Sequence, residues 1–69
     1  MLFEKEINKI GEIEASGWGA YITDYEMLDD HPTNPTIRYF AIEHKESFYF
    51  DMKLWDVIKE YKKYMQKCL

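Results

Sequence analysis

The chain has 69 residues, a length that admits one small module and excludes a two-domain enzyme, a repeat array or a large cofactor-binding scaffold. Thirteen acidic against nine basic residues give a net charge of −4, and 46% hydrophobic with 17% aromatic residues describes a chain that folds rather than one that stays disordered. A single cysteine, Cys68, excludes an internal disulfide and points to a reducing compartment.

Residues 1–6 show no basic segment followed by an apolar one, and no apolar run approaches the roughly 20 residues of a membrane span. The expected location is therefore cytoplasmic, with no membrane contact. The first nine residues are ambiguous. Phe3, Ile7 and Ile10 have helical spacing with Gly11 as a C-cap, yet Phe3, Ile7, Gly11 and Ile13 also fit an extended chain, which is the preferred reading. Ile10 to Ala15 reads as a first strand, and Ser16-Gly17-Trp18-Gly19 as a turn in which either glycine supplies a positive φ. Gly19 to Met27 continues the β pattern, with Tyr21, Thr23, Tyr25 and Met27 on one side and Ala20, Ile22, Asp24 and Glu26 on the other.

Leu28 to Pro35 holds both prolines and is the one pronounced loop. Thr36 to Glu43 is rich in β-branched and aromatic residues. Ile37, Tyr39 and Ala41 point one way and Phe40 and Ile42 the other, which predicts a central strand or an exposed aromatic surface. His44-Lys45-Glu46 is a hairpin-length link, lacking the usual Gly or Asn, to a strand in which Phe48, Phe50 and Met52 share a face. From Leu54 the apolar side chains recur at Ile58, Tyr61, Met65 and Cys68, widened by Val57 and Tyr64, the stripe of an amphipathic helix with Cys68 in its packed face. Asp51 is placed to cap its first amides, Lys62, Lys63 and Lys67 suit its negative pole, and Trp55 flanks the stripe as a rim residue. The predicted fold class is α+β, one domain over residues 1–69. It is a four-stranded antiparallel meander sheet with one C-terminal amphipathic helix packed on one face. The other sheet face is left to solvent or a partner.

Catalytic chemistry finds little support. Asp29-Asp30-His31, with His44 as a remote imidazole, reads as solvated turn formers rather than a metal site, because no second ligand cluster accompanies it. Cys68 with either histidine lacks the electropositive enclosure of a thiolate nucleophile. Gly17-Trp18-Gly19 lacks the spacing of a phosphate cradle. Glu12 and Glu14 share a strand face without implying a pocket. No catalytic, cofactor or metal residue is assigned, and the expected function is not enzymatic.

Charge is more informative. The 28 residues between Lys9 and Arg38 carry no lysine or arginine and six acids, so residues 1–35 sum to −6 and residues 36–69 to +2. A paired first hairpin would gather Glu12, Glu14, Asp24 and Glu26 beside Trp18, Tyr21 and Tyr25, with Asp29 and Asp30 in the loop beyond. These nine residues are the expected partner-binding set, the carboxylates steering and the aromatics anchoring. The expected partner is a basic protein surface, such as the cationic groove of a nucleic-acid-handling protein, which the acids would occupy as a phosphate mimic. Compactness and acidity fit a small inhibitor or adaptor of the phage or mobile-element, anti-defence kind. The uncovered sheet face also suggests a homodimer.

The alternative is a single-stranded nucleic-acid-binding protein. Lys59, Lys62, Lys63 and Lys67 form a basic helical face, and Arg38, Tyr39, Phe40 and Tyr49 offer stacking groups. Through Ile10-Gly11, Gly17-Trp18 and Phe48-Tyr49-Phe50-Asp51 to Trp55, about half of the chain, the layout resembles the single-stranded-DNA-binding transcriptional coactivators and their small bacterial relatives. The resemblance implies four strands, then a helix, and a dimer. The chain departs from that family's basic binding face, since its acidic first hairpin would repel phosphate.

Overall fold

A computed structural model describes residues 3–68, with side chains to Lys67. The element order is α1 (Glu4–Ser16), β1 (Tyr21–Leu28), β2 (Thr36–Glu43), β3 (Glu46–Lys53) and α2 (Leu54–Cys68). The protein is thus α+β, with a three-stranded antiparallel sheet in the order β1-β2-β3 and two helices rather than four strands and one helix. The expected strand over Ile10 to Ala15 and the extended segment before it are corrected to α1. The expected packing of Cys68 concerns a side chain outside the described residues.

Helix α1 forms because Ile7, Ile10, Gly11 and Ala15 fall on one face and are all buried, while Glu4 and Glu6 lie at its positive pole. Gly11 sits in mid-helix for a packing reason. A Cβ there would lie 2.7 Å from Tyr39 Cδ1 and nearer still to Cε1, so only glycine lets the helix backbone rest on that ring. The Tyr39 hydroxyl donates to the Ile7 carbonyl at 2.7 Å, and its ring stacks on Phe50 with centroids 5.0 Å apart. Burial holds the Tyr39 phenol well above its ordinary pKa, so it stays a neutral donor. After α1 the chain reverses through Ser16 to Ala20, with the amides of Trp18 and Ala20 both donating to the Ala15 carbonyl. Gly19, at φ 74°, supplies the left-handed step of that reversal.

Ile7 and Ile10 from α1, Ile37 and Tyr39 from β2, and Val57 from α2 form the main core. Each fully buried aliphatic side chain there contributes about 2 kcal/mol of transfer free energy. Ala15, Ala20 and Ala41 form a second cluster under Phe48 and Phe50. Among the described side chains of α2 Val57 is the fully buried one, and Met65, expected in the stripe, is exposed.

β2 has the expected central place, with Ile37, Tyr39 and Ala41 facing the helices. The expected alternation in β1 holds only in part. A bulge between Ile22 and Asp24 takes up Thr23, so Ile22 pairs with Ala41, whereas Asp24 pairs with Phe40. One extra residue exchanges the faces beyond it, and Ile22 then joins Tyr25 and Met27 on the inner side. β2 and β3 connect through His44 and Lys45 alone, both in the left-handed region at φ 49° and 69°. This is the two-residue hairpin geometry made without glycine.

The cap of α2 also differs from expectation. Asp51 turns to Arg38, and the helix start is held instead by the 29–35 loop. The amide of Leu54 donates to the Pro35 carbonyl at 3.0 Å and that of Trp55 to Asn34 Oδ1 at 3.0 Å. Trp55, exposed at the rim as expected, donates its indole N–H to the Thr33 carbonyl at 2.7 Å. No helix among the described residues is long and apolar enough to cross a membrane.

Candidate binding face

Because both helices contribute to the core on one side of the sheet, the other side lacks a second layer among the described residues. Its occupants follow from register. Tyr21, Asp24 and Glu26 on β1 stand beside Ile42, Phe40 and Arg38 on β2, and Ser47, Tyr49 and Asp51 on β3 complete the three rungs. Tyr21 and Tyr49 are 63% and 59% exposed, far more than a sheet in the core of a domain permits, and Phe40 and Ile42 are half-buried between them.

The face has a built electrostatic centre. Arg38 makes a bidentate pair with Asp51, Nε to Oδ1 at 2.9 Å and Nη2 to Oδ2 at 3.1 Å, and its guanidinium lies 4.5 Å from the centroid of the Tyr49 ring. The hydrogen bonds to Arg38 hold the Asp51 carboxyl below its ordinary pKa, and the same bonds raise that of Arg38. At the end of the sheet, Asp30 accepts from Thr36 Oγ1 at 2.6 Å and from the Thr36 amide at 2.8 Å, with Lys53 Nζ 3.5 Å away. Those two Thr36 bonds, and more weakly Lys53, lower the Asp30 carboxyl to about 2. Asp24 and Glu26 are different. Among the described residues neither has an ion pair within 4 Å; Asp24 accepts only the adjacent Tyr25 amide at 2.8 Å.

The nine expected partner-binding residues are thus divided. Tyr21, Asp24 and Glu26 share the open face, and Asp29 and Asp30 lie in the loop at its end. Glu12 and Glu14 are on α1, on the opposite side of the sheet, because the strand that was to carry them is a helix. Glu12 is exposed 3.9 Å from Lys9, and Glu14 lines a cleft between the helices. Tyr25 faces inward against Tyr39, and burial raises its pKa. Trp18 packs edge-on to Phe48 and Phe50 at the inner side, with centroids 6.3 and 5.0 Å away, and remains 49% exposed. The single acidic hairpin is therefore corrected to two separate acidic regions.

Arg38, Phe40, Ile42 and Tyr49 join the face although the protein-binding reading omitted them. The signal that could have included Phe40 and Ile42 was the pair of apolar faces on Thr36 to Glu43, and Arg38 and Tyr49 join them through the strand register. Tyr39, offered as a stacking group, is fully buried. The lysines of α2 belong to the helical layer, on the side of the sheet away from the open-face aromatics.

The helical side offers a cleft of about 140 Å³ between α1 and α2, lined by Ile10, Ile13, Glu14, Glu60, Lys63, Tyr64 and Lys67. That is less than half the roughly 300 Å³ at which ligand pockets begin. Among the described residues no three His, Cys, Asp or Glu side chains come together as a metal site. The Asp30 carboxylate is taken by Thr36, and His31 Nδ1 accepts the amides of Thr33 and Asn34 at 3.2 and 3.0 Å. A scan against protein-family models and searches of curated proteins and of solved structures return no match to this chain.

Proposed function

We propose that this chain is a non-enzymatic protein-binding module, a small acidic inhibitor or adaptor of the phage or mobile-element type acting in the cytoplasm. Its binding surface is the open sheet face. One observation carries the reading: two tyrosines more than half exposed flank Phe40 and Ile42 on a face without a covering layer among the described residues, beside Asp24 and Glu26, neither of which has an ion pair within 4 Å there. Apolar and aromatic area supplies the anchor, and the unpaired acids favour a basic protein surface, including a groove that otherwise holds nucleic-acid phosphates. A second copy of the chain is a weaker occupant, since it would bring one net charge of −4 against another.

The test is a capture from host lysate with three baits: the native chain, Asp24→Lys/Glu26→Lys, and Glu12→Lys/Glu14→Lys. The reading expects a basic protein held by the native chain and by the α1 variant, and released by the β1 variant. Equal retention on all three baits, or loss with the α1 variant alone, removes the open face from the account.

Direct binding of single-stranded nucleic acid is the second reading, favoured only by Lys59, Lys62, Lys63 and Lys67 on α2. It expects an oligo-dT gel shift at low salt that weakens when those four become glutamine.

A further inference from the structure

The open face already contains one arginine seat, and the order of side chains that builds it recurs on β1 without an ion pair within 4 Å among the described residues. On β3, Tyr49 and Asp51 are consecutive residues of the open face, about 7 Å apart along a strand. Arg38, from the neighbouring strand, lies over the Tyr49 ring and forks onto the Asp51 carboxylate. On β1, Tyr21 and Asp24 are three residues apart in sequence, which ordinary alternation would put on opposite faces. The bulge at Thr23 absorbs the extra residue and makes them consecutive on the same face. β1 and β3 run in the same direction, each antiparallel to β2, so the tyrosine precedes the carboxylate in both. The β3 pair is filled by the protein's own arginine. The β1 pair is followed by a second carboxylate, Glu26, and has no cation within ion-pairing distance among the described residues. β1 is also an edge strand, so the side of Tyr21 and Asp24 away from β2 is not occupied by the sheet.

Resting on the protein-binding reading above, we propose that Tyr21, Asp24 and Glu26 form a seat for an arginine side chain of the partner. The incoming guanidinium stacks on the Tyr21 ring and donates to the Asp24 carboxylate, as Arg38 does with Tyr49 and Asp51. Glu26 supplies the charge that a second basic residue of the same segment meets. The seat discriminates arginine from lysine, because a planar fork satisfies ring and carboxylate together and a point ammonium does not. The partner is therefore an arginine-bearing extended segment of a protein, not any cationic surface.

The probes are a capped nine-residue peptide with arginine at alternate positions, its lysine counterpart, and oligo-dT, each titrated into the full chain labelled with nitrogen-15 at low salt. The arginine peptide is expected to shift amide signals centred on Tyr21, Asp24 and Glu26, and to bind about fivefold more tightly than the lysine peptide. Tyr21→Ala and Asp24→Asn/Glu26→Gln are each expected to weaken the arginine peptide at least about threefold and to erase the preference, while Glu12→Gln/Glu14→Gln leaves both intact. All these positions are exposed or at the surface, and an unchanged spectrum elsewhere verifies the fold of each variant. Equal affinity for the two peptides at β1, dependent on Asp24 and Glu26, overturns the arginine seat and leaves the acidic binding face standing. No shift with millimolar arginine peptide also overturns the seat. Shifts centred on α2, or binding of oligo-dT alone, overturn both.

Discussion

Replacing Gly11 by alanine is the sharpest probe of how the core is built. On an exposed helix surface the change would stabilise the protein by about 1 kcal/mol through helix propensity. Here the added methyl meets Tyr39, at 2.7 Å from Cδ1 and 3.1 Å from Cζ, well inside van der Waals contact. The ring cannot simply swing aside. It is fully buried, stacked on Phe50 and tethered by its hydroxyl to the Ile7 carbonyl. Overpacking of this kind costs about 1–3 kcal/mol, and displacing the ring adds about 1 kcal/mol for the hydrogen bond. The net expectation is a loss of about 1–3 kcal/mol, which for a chain of this size lowers Tm by about 5–20 °C. Thermal unfolding followed by circular dichroism reads the effect, with Asn8→Ala on the exposed side of the same helix measuring the propensity gain alone. In a Tyr39→Leu background the cost of Gly11→Ala should largely disappear. A Tm equal to or above the native value, or the same cost in both backgrounds, would refute the idea that glycine is there to admit the ring.

Asn34→Ala removes the acceptor for the Trp55 amide and should cost about 1 kcal/mol, seen as a Tm lower by roughly 4–8 °C; an unchanged Tm would mean that the loop does not cap α2. Asp30, with its pKa lowered from 3.8 to about 2, stabilises the fold at pH values above its unfolded pKa, and this contribution disappears as pH falls from about 4 towards 2. The stability of Asp30→Asn, measured by denaturant titration, should therefore be lower at pH 7 and flatter across that interval, and a parallel profile would contradict the assignment. Lys45→Gly relieves a side chain held at φ 69° and should raise Tm by a few degrees, the strain of roughly 1 kcal/mol being partly offset by the freer unfolded chain; a fall in Tm would argue against that turn geometry.

Much of the second half of the chain was legible because its signals are local. The limits of β2 coincide with the expected Thr36 to Glu43, the helix starts at Leu54 as the stripe indicates, and the two faces of β2 divide as alternation requires. The first half misled for a physical reason. Ile10-Gly11-Glu12-Ile13-Glu14-Ala15 alternates like a strand, Phe3 offers no side-chain cap, and a glycine in mid-sequence looks like a breaker. What makes Gly11 a helix residue is the ring of Tyr39, 28 positions later, and no local pattern carries that contact. The cap of α2 failed in the same way, since Asn34 reaches it from across the fold and leaves Asp51 for Arg38.

The binding face was legible in composition and not in assembly. Acidity between Lys9 and Arg38 and the tyrosines of β1 were visible, but the change of Ile10 to Ala15 from strand to helix moves Glu12 and Glu14 to the far side of the sheet. The bulge at Thr23 leaves Asp24 beside Phe40 and turns Tyr25 inward, a one-residue slip that no propensity announces.

The central claim is that the open sheet face is where a protein partner docks, and tyrosine modification with and without the captured partner tests it directly. Tyr21 and Tyr49, 63% and 59% exposed, should both be modified readily in the free protein, with Tyr39, fully buried, unreactive. In the complex, modification of Tyr21 and Tyr49 should fall severalfold while that of Tyr61 and Tyr64 on α2 stays as it was. Unchanged modification of Tyr21 and Tyr49, with protection of the α2 tyrosines instead, would contradict the account.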